Sequence, residues 1–324
     1  MPPEPRSAHG AAARPRILVI KLGALGDFVQ AMGPAAAIRA HHKDAEITLL
    51  TSAPFAEIAQ MSPYFDHVWV HERPGKFDIA AWLGLRRRLR DGRFARVYDL
   101  QTSSRSSGYF HLMGPYLFGM GPRPEWSGIA RGASHPHDNP ARNAMHTLER
   151  QADQLRGAGI LDVPPPDLSW VPADLERLGL PERFVALVPG GAPHRPEKRW
   201  PVEHYAALAQ IIVSRGAAPV VVGGPTERGL GAAIRAACRA TRDLTGETDL
   251  AAVVALGRRA LRVVGNDTGP MHLLVAAGAP ATVLYSGASD PSLTAPRGPR
   301  VQILQRPILG DLGVEEVAAT LAFG

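Results

Sequence analysis

One acid stands at the start of a helical pattern in KLGALGDFVQAMGP, residues 21–34, directly behind the apolar run RILVI at 16–20. It is Asp27. Gly23 and Gly26 come just before it and permit a tight turn and close backbone approach behind a strand. The dinucleotide fingerprint G-x-G-x-x-G is absent. A carboxylate already placed at the positive end of a helix would also repel a docked pyrophosphate. The loop is therefore a poor phosphate cradle. Residue type leaves two uses open for Asp27: capping the helix, or standing exposed as an acid that accepts a proton.

A second group lies in VPGGAPHRPEKRWP, residues 188–201. Gly190 and Gly191 follow an apolar run, and His194, Arg195, Lys198 and Arg199 come next. Backbone donors and cations leaving a strand end suit an anionic ligand. A solvated basic loop is the bland alternative, and Trp200-Pro201 beside the charges argues for an ordered loop. A third group is VVGNDTGPMHLLVAAG, residues 263–278. Here Asp267 and Thr268 end a strand, and Pro270 opens a helix with His272 in its first turn. Thr268 and the amides of Gly269, Met271 and His272 can point donors at one anion. Asp267 or Thr268 as a plain cap, and His272 as a core histidine, are the structural alternatives. A fourth group, VVGGPTER at 221–228, puts Glu227 just past a strand end, where a carboxylate can take two ribose hydroxyls or simply start a helix.

Other polar groups point to structure. HPHD at 135–138 and His41-His42 lack a partner cluster with metal spacing, so no metal site is expected. Arg86, Arg87, Arg88, Arg90, Arg93 and Arg96 read as a solvated helix face, and no nucleic-acid motif accompanies them. The stretch YFHLMGPYLFGMGP at 109–122 reads as core or as a lip that meets lipid. Cys238, the single cysteine, sits in an amphipathic pattern and reads as a small core residue. One cysteine excludes an internal disulfide, which fits a reducing compartment.

The elements that must hold these groups recur along the chain. Apolar runs at 16–20, 46–50, 67–70, 96–100, 184–188, 219–223, 262–265 and 281–285 read as strands. Helical patterns at 79–90, 203–215, 226–240 and 270–277 lie between them. Such alternation predicts α/β architecture with parallel sheets covered on both faces. The five prolines within 162–183 mark a junction. The expected organisation is a disordered leader at 1–15, an N-terminal Rossmann-like domain at 16–170 and a C-terminal one at 171–324, facing each other across a cleft. Ligands in such sheets bind at the carboxyl ends of strands. The length of 324 residues suits two domains of roughly 150 residues. A formal net charge of +6 favours an anionic partner without choosing one. No signal peptide is read in the leader, and no apolar stretch is long enough to span a bilayer.

Taken in order, ILVIKLGALGD, YDLQ at 98–101, HTLERQADQLRGAGI at 146–160, PGG…EKRWP, VVGNDTGPMHL and SDP at 289–291 resemble glycosyltransferase family 9, the ADP-heptose–lipopolysaccharide heptosyltransferases. The resemblance spans roughly residues 16–310. It implies a GT-B-type pair of Rossmann-like domains, the second holding a nucleotide sugar and the first offering the acceptor. It implies that Asp27 is the general base, with Gly23, Gly26 and Gln101 on the acceptor side. Lys198 becomes the diphosphate cation, with Gly190, Gly191, Thr268, Gly269, Met271 and His272 around the same phosphates. Glu227 becomes the ribose ligand, and Asp267 a sugar-side acid. Chemistry of this type inverts the anomeric centre and needs neither a covalent intermediate nor a metal or other cofactor. Leaving-group charge is met by Lys198 and helix-end amides. The implied partners are an ADP-sugar such as ADP-heptose and an anionic glycolipid or glycan acceptor, with no nucleic acid. The implied place is the cytoplasm, with peripheral contact to the inner membrane. Two other functions share this architecture: a nucleotide-sugar epimerase or hydrolase, and a non-catalytic nucleotide-sugar binding protein. The first needs a further acid/base pair that the sequence does not offer. The joint presence of Asp27 and Lys198 argues against the second.

Overall fold

The computed structural model describes residues 14–75, 77–114, 123–172 and 174–322. Short apolar runs become strands where both neighbours along the sheet are also apolar. In the first half these are β1 (Arg16–Ile20), β2 (Glu46–Thr51), β3 (His67–Val70), β4 (Arg96–Asp99), β5 (Glu125–Gly128) and β6 (His135–Pro136). In the second they are β7 (Phe184–Val188), β8 (Ala218–Val221), β9 (Arg242–Asp243), β10 (Arg262–Asn266), β11 (Ala281–Tyr285) and β12 (Val301–Gln305). The sheet orders are β3-β2-β1-β4-β5-β6 and β12-β11-β10-β7-β8-β9, all parallel. Each sheet reverses its winding once, between β1 and β4 and between β7 and β10. A crevice opens at the carboxyl ends of strands at such a switch point. Asp27 follows β1, Gln101 follows β4, Gly190 follows β7 and Asp267 follows β10.

Alternate residues of the central strands serve two cores, because successive side chains leave opposite faces. Ile17 and Val19 join an apolar cluster that also holds Phe28, Leu155, Phe184, Val254 and Leu273, so it runs continuously through both halves. Leu18 and Ile20 face the other way, with Val97, Phe110 and Trp126. Val185 and Leu187 likewise face Trp200, Tyr205 and Val317. Cys238 is buried in that last cluster, as its pattern implies.

The junction segment is packed rather than loose. Leu168 and Val171 are buried, and the Arg258 guanidinium donates to the carbonyls of both. The Pro164 carbonyl passes so close to Gly33 that a Cβ there would lie 2.1 Å from it. Differences from the sequence reading concern weak elements. β5, β6, β9 and β12 carry little apolar signal: two are only two residues long, and β12 is largely exposed. Their backbone partners, more than their side chains, make them strands. Of the leader, residues 1–13 lie outside the described residues. Arg14 and Pro15 are ordered by bonds to the β2 approach, through the Asp44 and Ala45 carbonyls and the Glu46 amide. Residues 115–122 of the apolar stretch 109–122 also lie outside, whereas Tyr109 and Phe110 are core.

Candidate active site

Asp27 occupies the third position of the helix Leu25–Gln30. The cap itself is Ala24, which has no side-chain oxygen, so Asp27 is not the N-cap. Its Oδ2 reaches back to accept from the Ala24 amide at 3.3 Å. Its Oδ1 accepts no hydrogen bond among the described residues. The carboxylate lines a cavity of about 250 Å³ together with Lys21, Gln101, Arg142, Asn143 and Arg150. Lys21 is buried and donates to the Leu100 carbonyl at 3.1 Å. Burial lowers its pKa, against the pull of Asp27 and Asp99. Burial in turn pushes the Asp99 carboxyl up to about 6, although amides of Thr102 and Gln101 donate to it. Burial, and then the neighbouring Arg150 guanidinium, lower the Arg142 pKa. Neither arginine has an ion-pair partner among the described residues.

Gln101 acts on the backbone. Its Oε1 accepts from the amides of Leu22 and Gly23 at 2.8 and 3.2 Å. It thereby ties the end of β4 to the loop that presents Asp27. Gly23 has φ +128°, a conformation that favours glycine. Gly26 is helical and is needed for another reason than a turn. A Cβ on it would lie 2.8 Å from the His272 ring of the second half. Gly269 is equally close to Leu25, at 2.7 Å. The helix start of Gly269–Ala276 thus abuts the helix start that carries Asp27.

On the second half, Thr268 is the N-cap of the Gly269–Ala276 helix and makes no side-chain cap bond, so its hydroxyl is uncommitted there. His272 is buried, and burial pushes its imidazole down to about 4, against the pull of Asp267 and Asp27. It is neutral at pH 7. Lys198 Nζ donates to Asp267 Oδ2 at 2.7 Å. Burial would raise the Asp267 pKa, but Lys198, with Ser289 beside it, holds it below the usual carboxylate range. Asn266 sets this geometry. Its Nδ2 donates to the carbonyls of Pro189 and Gly190, and its Oδ1 accepts from the Trp200 amide and the Tyr205 hydroxyl. Gly190 and Gly223 leave room for Glu227: a Cβ on either would come within 3 Å of that side chain. Gly191 accepts from Arg199 at 2.6 Å.

The four stretches therefore meet in sequence. Glu227 touches Gly190, Lys198 binds Asp267, and His272 touches Gly26, the residue before Asp27. Lys21, Arg142, Arg150 and Asn266 were not assigned roles from the sequence. The two arginines lie more than 110 residues from Asp27, and Arg150, though inside the quoted stretch 146–160, has no neighbour in sequence that marks it as facing Asp27. HPHD splits between two carboxylates: His137 meets Asp153 at 3.1 Å and His135 meets Glu125 at 3.8 Å. Among the described residues no group of three His, Cys, Asp or Glu side chains could hold a metal ion. The arginine run is not one helix face. Arg88 turns onto the Trp69 ring, and Arg96, in β4, pairs with Glu125.

The family model of glycosyltransferase family 9 (heptosyltransferase) matches residues 82–312. The chain belongs to that family. It is a glycosyltransferase, and the epimerase and binding-protein readings fall away. It is 26% identical over 320 residues to lipopolysaccharide heptosyltransferase 2 of Escherichia coli K12, covering 90% of this chain and 88% of that one. Solved structures show the same GT-B fold. E. coli ADP-heptose lps heptosyltransferase II superposes with TM-score 0.76 at 24% identity, covering 94% of this chain and 97% of its own. E. coli heptosyltransferase WaaC with ADP-2-deoxy-2-fluoro heptose gives TM-score 0.73 at 18% identity, covering 94% and 98%.

Proposed function

We propose that this family 9 glycosyltransferase transfers heptose from ADP-heptose to a hydroxyl of a lipopolysaccharide-core acceptor, with inversion at the anomeric carbon. The observation that carries this reading is the apposition of the two helix starts. It sets an acid with a free oxygen, Asp27, against a helix N-terminus suited to phosphate. Residues 16–170 form the acceptor domain and 171–324 the donor domain.

In this mechanism the acceptor hydroxyl attacks the anomeric carbon and gives its proton to Asp27. The bond from that carbon to the diphosphate oxygen breaks, and ADP leaves. Lys198 and the amides of Gly269, Met271 and His272 meet the charge on the leaving group. Lys198 is already held by Asp267, so an arriving diphosphate shares an ammonium that is in place rather than recruiting a mobile one. Neutral His272 adds a ring and no charge beside the sugar. Glu227, seated against Gly190 and Gly223, takes the ribose hydroxyls. No step uses a metal. On the acceptor side Lys21, Arg142 and Arg150 face an anionic group of the acceptor. The enzyme works in the cytoplasm, at the membrane face where such an acceptor is anchored. No helix among the described residues is long and apolar enough to cross that membrane.

The test is direct. Purified protein, ADP-heptose and a deacylated core acceptor should yield ADP and a product whose anomeric configuration is opposite to that of the donor. Retention, or release of free heptose without transfer, would sink the reading.

A further inference from the structure

The helix Ile79–Asp91 buries one residue, Leu89, and rests on the core through half-buried Trp82 and Leu85. Its other side is unusual. Phe77, Ile79 and Leu83 are 93%, 71% and 57% exposed. Only seven large apolar side chains are exposed among the described residues, and these three fall within seven consecutive positions. Ile79, Leu83 and Arg86 stand at four- and three-residue spacing, which makes them one row along the helix. Arg87 stands beside that row, and both arginines are exposed and make no hydrogen bond or ion pair among the described residues. One acid stands near them: Asp91 is four residues on from Arg87, though it makes no ion pair with it among the described residues, and Asp78 is spent capping the helix through the Ala81 amide.

The apolar end is held in place. Trp82 Nε1 donates to the Gly75 carbonyl at 2.9 Å. The loop before the helix leaves the carboxyl edge of the first sheet. Its residues His71, Glu72 and Arg73 line a cavity of about 510 Å³ with Leu22, Gly23 and Phe55. That cavity adjoins the loop that presents Asp27.

We propose that Phe77 and the Ile79–Leu83–Arg86 row, with Arg87, form the surface by which this enzyme docks on an anionic lipid bilayer. The proposal rests on the reading of a membrane-anchored acceptor. Apolar side chains beside unpaired arginines match the boundary between acyl chains and anionic headgroups. A second copy of the chain is a poorer match, because it would bring no acidic row to meet these arginines. Docking here holds the catalytic opening beside the bilayer, where the headgroup sugars of an anchored acceptor stand.

The full chain is co-sedimented with vesicles of phosphatidylcholine alone and of phosphatidylcholine with phosphatidylglycerol. Binding is expected to the anionic vesicles and to weaken with salt. Arg86→Gln with Arg87→Gln should lower partitioning roughly thirtyfold, at about fivefold per arginine. Phe77→Ser with Leu83→Ser should also weaken it. All four sites are exposed, so melting temperature should hold. Both double variants should keep their rate on a deacylated acceptor in solution and lose rate on an acceptor embedded in vesicles. Wild-type affinity in both double variants, or no binding by the unmodified chain, would overturn the proposal. So would a dimer broken by Leu83→Ser with vesicle binding untouched. Failure of the unmodified chain to glycosylate the deacylated acceptor would defeat the functional reading instead, and the vesicle assay reads docking independently of it.

Discussion

Lys198, on the second half, stands 2.7 Å from Asp267, whereas Arg142 and Arg150, on the first, share a cavity whose sole carboxylate is Asp27. The second half answers its own charges. Asn266 spans two carbonyls, an amide and a hydroxyl there, so the loops after β7 and β10 are held before any ligand arrives. The first half gathers two guanidiniums and a buried lysine around one cavity, and burial, with a smaller push from Arg150, lowers the pKa values of Arg142 and Lys21. Uncompensated like charge opposes folding, and such local violations gather where a ligand must complete the set. One half is a preformed cradle. The other is a cavity in which three basic side chains surround one acid.

The sharpest way to break that contrast is at Asp27. If the open oxygen is the base, Asp27→Asn should lower kcat by about 10²–10⁴. Donor affinity by calorimetry and the melting temperature should barely change, because the proposed donor site lies on the other half. Near-normal turnover would return Asp27 to a purely structural role.

Lys198→Met comes next. It should lower kcat by about 10²–10³, as expected for a lost transition-state charge partner. It also strands Asp267 in a half-buried place, so the melting temperature should fall. Asp267→Asn should cost less rate, since it leaves the ammonium to the diphosphate. Equal losses for the two variants would mean that the pair, not the lysine, serves the reaction.

The opposite signature is expected across the cleft. Arg150→Gln removes repulsion from Arg142, so the melting temperature should hold or rise. The acceptor KM should rise about tenfold with kcat nearly unchanged, the size of one charged hydrogen bond. A fall in stability matching that of Lys198→Met would erase the distinction between the halves.

The smallest effect is on pH dependence. Burial lowers His42, His71 and His272 to about 4. The unfolded chain then takes up protons on them more readily than the fold, so stability falls as pH drops from about 6.5 toward 4. Asp99, raised to about 6, has the opposite sign and adds stability as pH falls through that value. Between pH 7 and 5 the net should be a loss: about 1–2 kcal/mol each from His71 and His272, less from the more exposed His42, and about 1 kcal/mol back from Asp99. Calorimetric melting at the two values checks this, and a higher melting temperature at pH 5 would contradict it.

The strands that proved legible were those with apolar side chains on both faces. The runs at 16–20, 67–70, 184–188 and 281–285 match β1, β3, β7 and β11 end to end. β6 and β9, of two residues each, carry no pattern that could announce them. Gly26 was legible as a glycine that mattered, but read as a turn. Its clearance from His272 involves a residue 246 positions away. The arginine run illustrates the same limit: six similar side chains close in sequence divide between a ring, a strand pair and an exposed face.

Composition and order along the chain therefore determined the alternation of strand and helix, and with it two parallel sheets whose loops carry the polar groups at strand ends. Periodicity of apolar residues is a local property, and burial reads it directly. Which polar groups meet was decided only by the tertiary structure. The Lys198–Asp267 pair, the His272 ring over Gly26 and the arginines around Asp27 join residues separated by 69 to 246 positions. Charge and shape act through space over a few ångströms, and no spacing along the chain encodes a distance that the packing of two sheets creates.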